Sequence, residues 1–277
     1  MRGFARHRIA VALTLCLWTS TASAVRTGFL EEAVCGSFKE WLAFSLWSGV
    51  AGKANLEATS GIRNVQRISH TTVDGRTLRG FRIAADGRAR GALLVAQGNA
   101  MLADQLLTSL GAFTKDGLDV FVFDYRGYGI SDGTPRLKAI VNDYVELAKA
   151  VSKITPGKRY LYGMSFGGIV LVNALPSIGP VDAMVIDSSP SVISDMGCPT
   201  RYDPISNVPS SAQHFLMIIG EKDRVIPPSR SAALAGKVRS SGGRVERSAR
   251  FAHPFMDADP GVRSARLRLI AEFLRTK

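Results

Sequence analysis

The chain has 277 residues, 46% hydrophobic and 21% charged, and its 27 glycines and 12 prolines form no repetitive tract. This excludes a disordered, collagen-like or multi-spanning membrane chain, since no apolar run reaches the ~18–20 residues a spanning helix needs. Lysine and arginine outnumber the acids 35 to 23, a net charge of +12 that favours anionic neighbours and says nothing about fold.

In chain order, residues 1–8 carry Arg2, Arg6 and Arg8 without an acid, and residues 9–18 are nearly all apolar. Ala22-Ser23-Ala24 then supplies small residues at an exit. The pattern predicts a secretory leader over 1–24, and hence a secreted or periplasmic chain. Export would leave Cys35 and Cys198, which an oxidising compartment either bridges or leaves free; the sequence does not choose. Residues 25–60 predict an amphipathic helical segment, with Leu30, Val34, Phe38, Trp41 and Leu42 at near-helical spacing. It either packs on the main domain or serves as a foot on a membrane surface.

Residues 61–277 read as one domain. Asp74-Gly75 predicts a hairpin turn between strands at 65–69 and 78–83. Apolar strands at 92–96, 120–123, 160–162, 183–186 and 215–219 then alternate with helices at 100–115, 137–153, 166–176 and 229–239. A strand at 244–248 and a helix at 262–275 close the chain. Runs apolar on both faces and spaced by helices predict an α/β fold, a mostly parallel central sheet with helices on both faces. Residues 188–212 are the only insertion long enough for a lid, a small and polar one rich in Ser, Pro and Asp.

Reactive groups of such sheets collect at the carboxyl ends of the strands. Tyr162-Gly163-Met164-Ser165-Phe166-Gly167-Gly168 lies between a strand and a helix, and Gly163 and Gly167 let backbones pass closely around a strained turn that presents the hydroxyl. The motif is weak alone; its position gives it weight. A serine nucleophile needs a base, and the base an orienting acid. His253, just past the last strand, is the histidine placed to serve. His70 precedes the hairpin turn, far from the strand ends, and His214 begins a strand at its wrong end. Asp223 is the candidate acid and Asp187 its competitor, expected to shape the pocket wall. Arg244, Arg247, Arg250, Arg263, Arg266 and Arg268 crowd the last forty residues, read either as a solvated face or as an anion site.

The order Ser…Asp…His, with the serine on a strand-to-helix elbow, resembles the α/β-hydrolase superfamily. Asp124-Tyr125-Arg126-Gly127-Tyr128-Gly129-Ile130-Ser131-Asp132-Gly133 is similar to that superfamily's loop after the strand preceding the elbow. Asp143 falls where the bud-emergence-type, serine-aminopeptidase-like branch often has an acid. Gly220-Glu221-Lys222-Asp223-Arg224-Val225-Ile226-Pro227 resembles the block that carries the superfamily's acid. The resemblance spans residues 65–275. The family usually has His-Gly-Asn where this chain has Gln97-Gly98-Asn99-Ala100, which bears on loop rigidity and substrate preference.

The resemblance implies an α/β-hydrolase fold and a triad of Ser165, Asp223 and His253, with the backbone amides of Asn99 and Phe166 as oxyanion donors. The expected activity is hydrolysis of a short or medium acyl ester, a small-molecule substrate, through an acyl-enzyme. A thioesterase or a peptidase or amidase would use the same triad. A non-catalytic hydrolase fold binding anionic envelope surfaces is the reading of another class, and peripheral contact with such a surface suits the charge. No cofactor, metal or nucleic acid is expected.

Overall fold

The computed structural model describes residues 30–277; the expected leader lies outside them. One eight-stranded sheet runs in the order β1-β2-β4-β3-β5-β6-β7-β8. Its strands are β1 (Val65–Thr71), β2 (Thr77–Ile83), β3 (Gly91–Ala96), β4 (Leu118–Phe123), β5 (Lys158–Met164), β6 (Ala183–Asp187), β7 (Phe215–Gly220) and β8 (Arg244–Ser248). β1, β2 and β4 pair antiparallel and every other pair is parallel. The central strands β3, β4, β6 and β7 are buried along their whole length, as strands covered on both faces must be. The edges β1 and β8 carry charged and polar residues, which discourage pairing with another chain.

Side-chain alternation sorts the core into two layers. Ala92, Leu94, Ala96, Phe121 and Phe123 face one layer, and Leu93, Val95, Val120 and Val122 the other. Helices α3 (Leu137–Ile154), α4 (Phe166–Ile178) and α5 (Pro228–Ser240) cover the first face, together with α1 (Ser37–Ala51). The second is covered by residues 103–116 and by α6 (Pro260–Arg275). Asp259 starts α6 by accepting the Gly261 amide at 2.7 Å, with Pro260 in its first turn.

Two expectations need correction. The helix expected over 100–115 is a chain of short turns: Ala103–Leu106 and Gly111–Asp116 are 3-10, and only α2 (Leu107–Leu110) is α-helical. Gly117 ends the run in the left-handed region at φ 71°. Within 25–60, the described helix is α1 alone. Phe38, Trp41 and Leu42 face outward, and Phe44 and Ala51 are its buried apolar residues. The helix is apolar almost all round, so spacing does not reveal which side packs.

Candidate active site

Ser165 sits between β5 and α4 at φ 53° and ψ −117°, a strained conformation for a residue with a side chain. The flanking glycines are required by close approach. A Cβ on Gly163 would lie 2.6 Å from the Gly167 carbonyl oxygen, and one on Gly167 would collide with the Ala96 carbonyl. The strain is held by backbone bonds. The Ser165 amide donates to the Asp187 carbonyl at 2.8 Å, and its own carbonyl accepts from Gly168 N at 3.1 Å and Ser189 Oγ at 2.8 Å.

The structure brings Asp223 and His253 together: Oδ2 of Asp223 lies 2.8 Å from Nδ1 of His253. The other oxygen of Asp223 accepts the Val225 and Ile226 amides at 2.9 and 2.8 Å. Burial alone would push this carboxyl up. The hydrogen bond to His253, the Ile226 amide and the imidazole's charge outweigh it and hold Asp223 below the usual carboxylate range. The acid loop is tied to the histidine loop by Lys222 N, which donates to the Phe251 carbonyl at 3.0 Å.

Asp187 is not the partner of His253. It is fully buried, 2.6 Å from Arg266 Nη1 and accepting from Tyr162 Oη at 3.2 Å. Burial raises its carboxyl, and the charges of Arg266 and His253 only partly offset this. Arg266 corrects the reading of the C-terminal arginines as one solvated face, because it is 2% exposed. Its guanidinium also donates to the Ala252 carbonyl, pairs with Asp257 at 3.4 Å and stacks 4.4 Å over the Phe251 ring. Asp257 in turn accepts the Ala252 amide at 2.7 Å. Arg266 thus grips residues on both sides of His253. Arg244 and Arg247 pair with Glu246 and Glu221 at the surface. The sequence signal for Arg266 was its place among apolar residues at helical spacing in α6, hidden by five other arginines nearby.

The loop at 97–100 passes beside the serine; a Cβ on Gly98 would lie 3.7 Å from the Ser165 Cβ. Gln97, where the family usually has histidine, is buried and turned into the body. Its Nε2 donates to the Phe123 carbonyl at 2.9 Å, and its own carbonyl accepts from Tyr125 Oη at 2.6 Å. The loop is therefore pinned without the histidine. The Asn99 side chain accepts from Tyr128 Oη at 2.7 Å. Neither the Asn99 nor the Phe166 amide donates a hydrogen bond among the described residues.

Ser165, His253, Asn99 and Phe166 line one cavity of about 800 Å3, within the usual range for small-molecule sites. Residues 188–212 supply part of its roof, through apolar side chains and together with α1. That segment supplies Pro190, Ile193, Met196 and Cys198, and α1 supplies Ala43, Phe44, Trp47 and Val50. A Cys35–Cys198 disulfide joins the two across 163 residues. Phe44 seats α1 edge-on against Phe166, the residue after the serine, with ring centroids 5.7 Å apart. Glu40, buried under α1, accepts the amides of Val34, Cys35 and Leu137 at 2.7–2.9 Å. That bond to the first residue of α3 also caps that helix.

This arrangement is the α/β-hydrolase fold. More narrowly, residues 87–202 match the family model described as serine aminopeptidase, S33, a stretch that contains Ser165 and stops before Asp223 and His253. The uncharacterized protein YfhR of Escherichia coli O157:H7 is 29% identical over 194 residues, 62% of this chain and 67% of that one. Polyketide transferase claH of Penicillium crustosum is 28% identical over 160 residues, 54% of this chain and about half, 52%, of that one. Among solved structures, the Pyrococcus furiosus esterase Pf2001 aligns with TM-score 0.66 at 18% identity, over 80% of this chain and 94% of that one. XC6422 of Xanthomonas campestris, described as an a/b serine hydrolase without lid, aligns with TM-score 0.59 at 17% identity, over 78% and 94%.

Proposed function

We propose that the chain is a serine hydrolase that cleaves a carboxylic ester of short or medium acyl chain. The observation that carries this is the 2.8 Å contact between Asp223 and His253, on a histidine that shares its cavity with the strained Ser165. In this mechanism His253 takes the hydroxyl proton as Ser165 attacks the acyl carbonyl. Asp223 holds the imidazole with Nδ1–H toward itself and stabilises its charged form. The unpaired Asn99 and Phe166 amides take the oxyanion, each donor lowering the barrier by roughly 3–4 kcal/mol. His253 then protonates the departing alcohol, and water, activated by the same base, releases the acid from Ser165.

The cavity favours an ester over an aminopeptidase substrate. A free α-amino group needs a carboxylate to receive it. Among the described residues the one acid lining the cavity, Glu40, already accepts three backbone amides. Thioester cleavage or acyl transfer would use the same atoms with a different leaving group or acceptor. We also propose export to a secreted or periplasmic location, a reading supported by the Cys35–Cys198 bridge, since such bonds persist in oxidising compartments. The test is labelling by a serine-directed fluorophosphonate, followed by a panel of chromogenic esters of rising chain length beside thioesters and aminoacyl anilides. The expected result is one label, on Ser165, with turnover of esters and not of anilides. An unlabelled chain, or a label elsewhere, overturns the assignment.

A further inference from the structure

The outer side of α1 carries large exposed apolar side chains. Phe38, Trp41, Leu42, Leu46 and Val50 are 69%, 51%, 40%, 60% and 75% exposed. Their spacing of three, one, four and four residues lays them along one side of the helix. The apolar surface continues past the helix. Met196, Val225 and Met256, each at least half exposed, rise from three other segments and line the same cavity as Val50. Among the described residues only two further large apolar side chains, Val73 and Ile154, are comparably exposed. Scattered exposed apolar residues need no explanation, but a patch gathered round one opening does.

The unpaired charge of this face is positive, since the exposed Asp195 and Glu221, beside Met196 and Lys222, pair with Arg230 and Arg247. Lys39 on α1, Lys53 just beyond it, and Lys222 and Arg224 just before Val225 are all exposed, and none forms an ion pair among the described residues. The only acid of α1, Glu40, is buried and occupied. A second copy would bring like charges together across the patch. An occupant that complements both the apolar stripe and the basic rim is an anionic lipid surface.

We propose that this face docks on an anionic lipid surface, with α1 lying along it and the cavity opening toward it. No lid has to swing away first. The disulfide, the three amides on Glu40 and the bond from Gln105 Nε2 to the Ala51 carbonyl, 3.0 Å, hold α1 in place and its stripe outward. Docking itself does not depend on the chemistry; that the docked cavity takes its ester from that surface rests on the hydrolase reading.

Cosedimentation of the chain with vesicles tests this. Vesicles of phosphatidylcholine with phosphatidylglycerol should carry it down, and vesicles of phosphatidylcholine alone should carry markedly less. A Trp41→Glu/Leu46→Glu variant should partition at least about tenfold more weakly. Neither side chain lines the cavity, so turnover of a soluble short ester and Tm should match the unsubstituted chain. Lys53→Glu/Arg224→Glu should weaken binding to the anionic vesicles only, even if the first variant folds poorly. Several results would overturn the proposal: no binding to anionic vesicles, equal binding to phosphatidylcholine alone, or undiminished binding by both variants. So would a stripe whose substitution abolishes self-association rather than vesicle binding. The Ser165→Ala chain separates the two readings: it should bind vesicles unchanged even if no ester is ever found to be a substrate.

Discussion

Below the cavity, Ser165, Asp223 and His253 follow the ends of β5, β7 and β8. Above it, α1 and residues 188–212 meet from distant parts of the chain. The lower half is fixed by short polar contacts: the Asp187 carbonyl on the Ser165 amide, two amides and an imidazole on Asp223, a guanidinium around residue 252. The upper half is held by one covalent bridge, an aromatic contact, the Gln105–Ala51 bond and two buried carboxylates, Glu40 under α1 and Asp203 within 188–212. On the proposed function, chemistry is set by the sheet and its loops, and access by a structure laid over them. The two should fail separately.

Ser165→Ala should have the largest effect, on the lower half alone. Turnover of the ester found by the panel should fall about 10^4-fold or more. Every hydrogen bond of Ser165 among the described residues uses its backbone, so Tm should stay unchanged. A variant that kept its activity would remove the serine from its role.

Arg266→Met comes next, because it strips the countercharge from buried Asp187 and Asp257 at once. Losing one partner of a buried pair costs about 3–5 kcal/mol of stability. A loosened His253 should lower kcat by about 10–100-fold with little change in KM. Urea unfolding and steady-state kinetics measure the two parts. Partial recovery of kcat in Arg266→Lys would separate a positioning role from simple loss of packing.

These two residues also mark what could be read in the chain. Ser165 was legible because the turn that strains it demands glycines at fixed offsets, which leaves a local signature. His253 and Asp223 were legible by order along the chain and by nearness to strand ends. Arg266 was not, since its partners at 187, 252 and 257 come together only in the folded sheet. Nor was the roof. A helix apolar on nearly every side does not announce which side it buries, and two cysteines 163 residues apart say nothing of their distance in space. The run at 103–116 shows the same limit at short range: apolar spacing survives in a chain of tight turns as well as in a helix.

Breaking the bridge tests the upper half. A Cys35→Ser/Cys198→Ser chain should lose about 2–4 kcal/mol of stability, seen as a lower midpoint in urea. Turnover of a small soluble ester should hold within a few-fold, because no hydrogen bond of Ser165, Asp223 or His253 among the described residues involves either cysteine. A collapse of turnover on small esters would mean that roof and floor are one unit, contrary to the division drawn above.

The smallest effect lies in a pH window beside the floor. Asp124 accepts the amides of Ala103 and Ile130 at 2.8 and 3.1 Å, which ties the start of 103–116 to the loop after β4. Burial, with Asp104 nearby adding repulsion, outweighs these bonds and raises its carboxyl from 3.8 to about 6. Between those values the folded chain binds more protons than the unfolded one. Stability from this group is therefore full below about pH 4 and lost as pH rises through about 6, at most about 3 kcal/mol. Asp223, Asp74 and Asp119 are held below 3.8 and act in the opposite sense, losing their contribution as pH falls below 4. The net curve mixes the two, but the difference between the chain and Asp124→Asn isolates one. Asparagine has one carbonyl oxygen for two amides, which lowers stability by a constant amount, whereas only the lost titration changes the slope. Urea midpoints from pH 4 to 7 should thus fall less steeply in the variant, and parallel curves would mean that Asp124 stays ionised throughout.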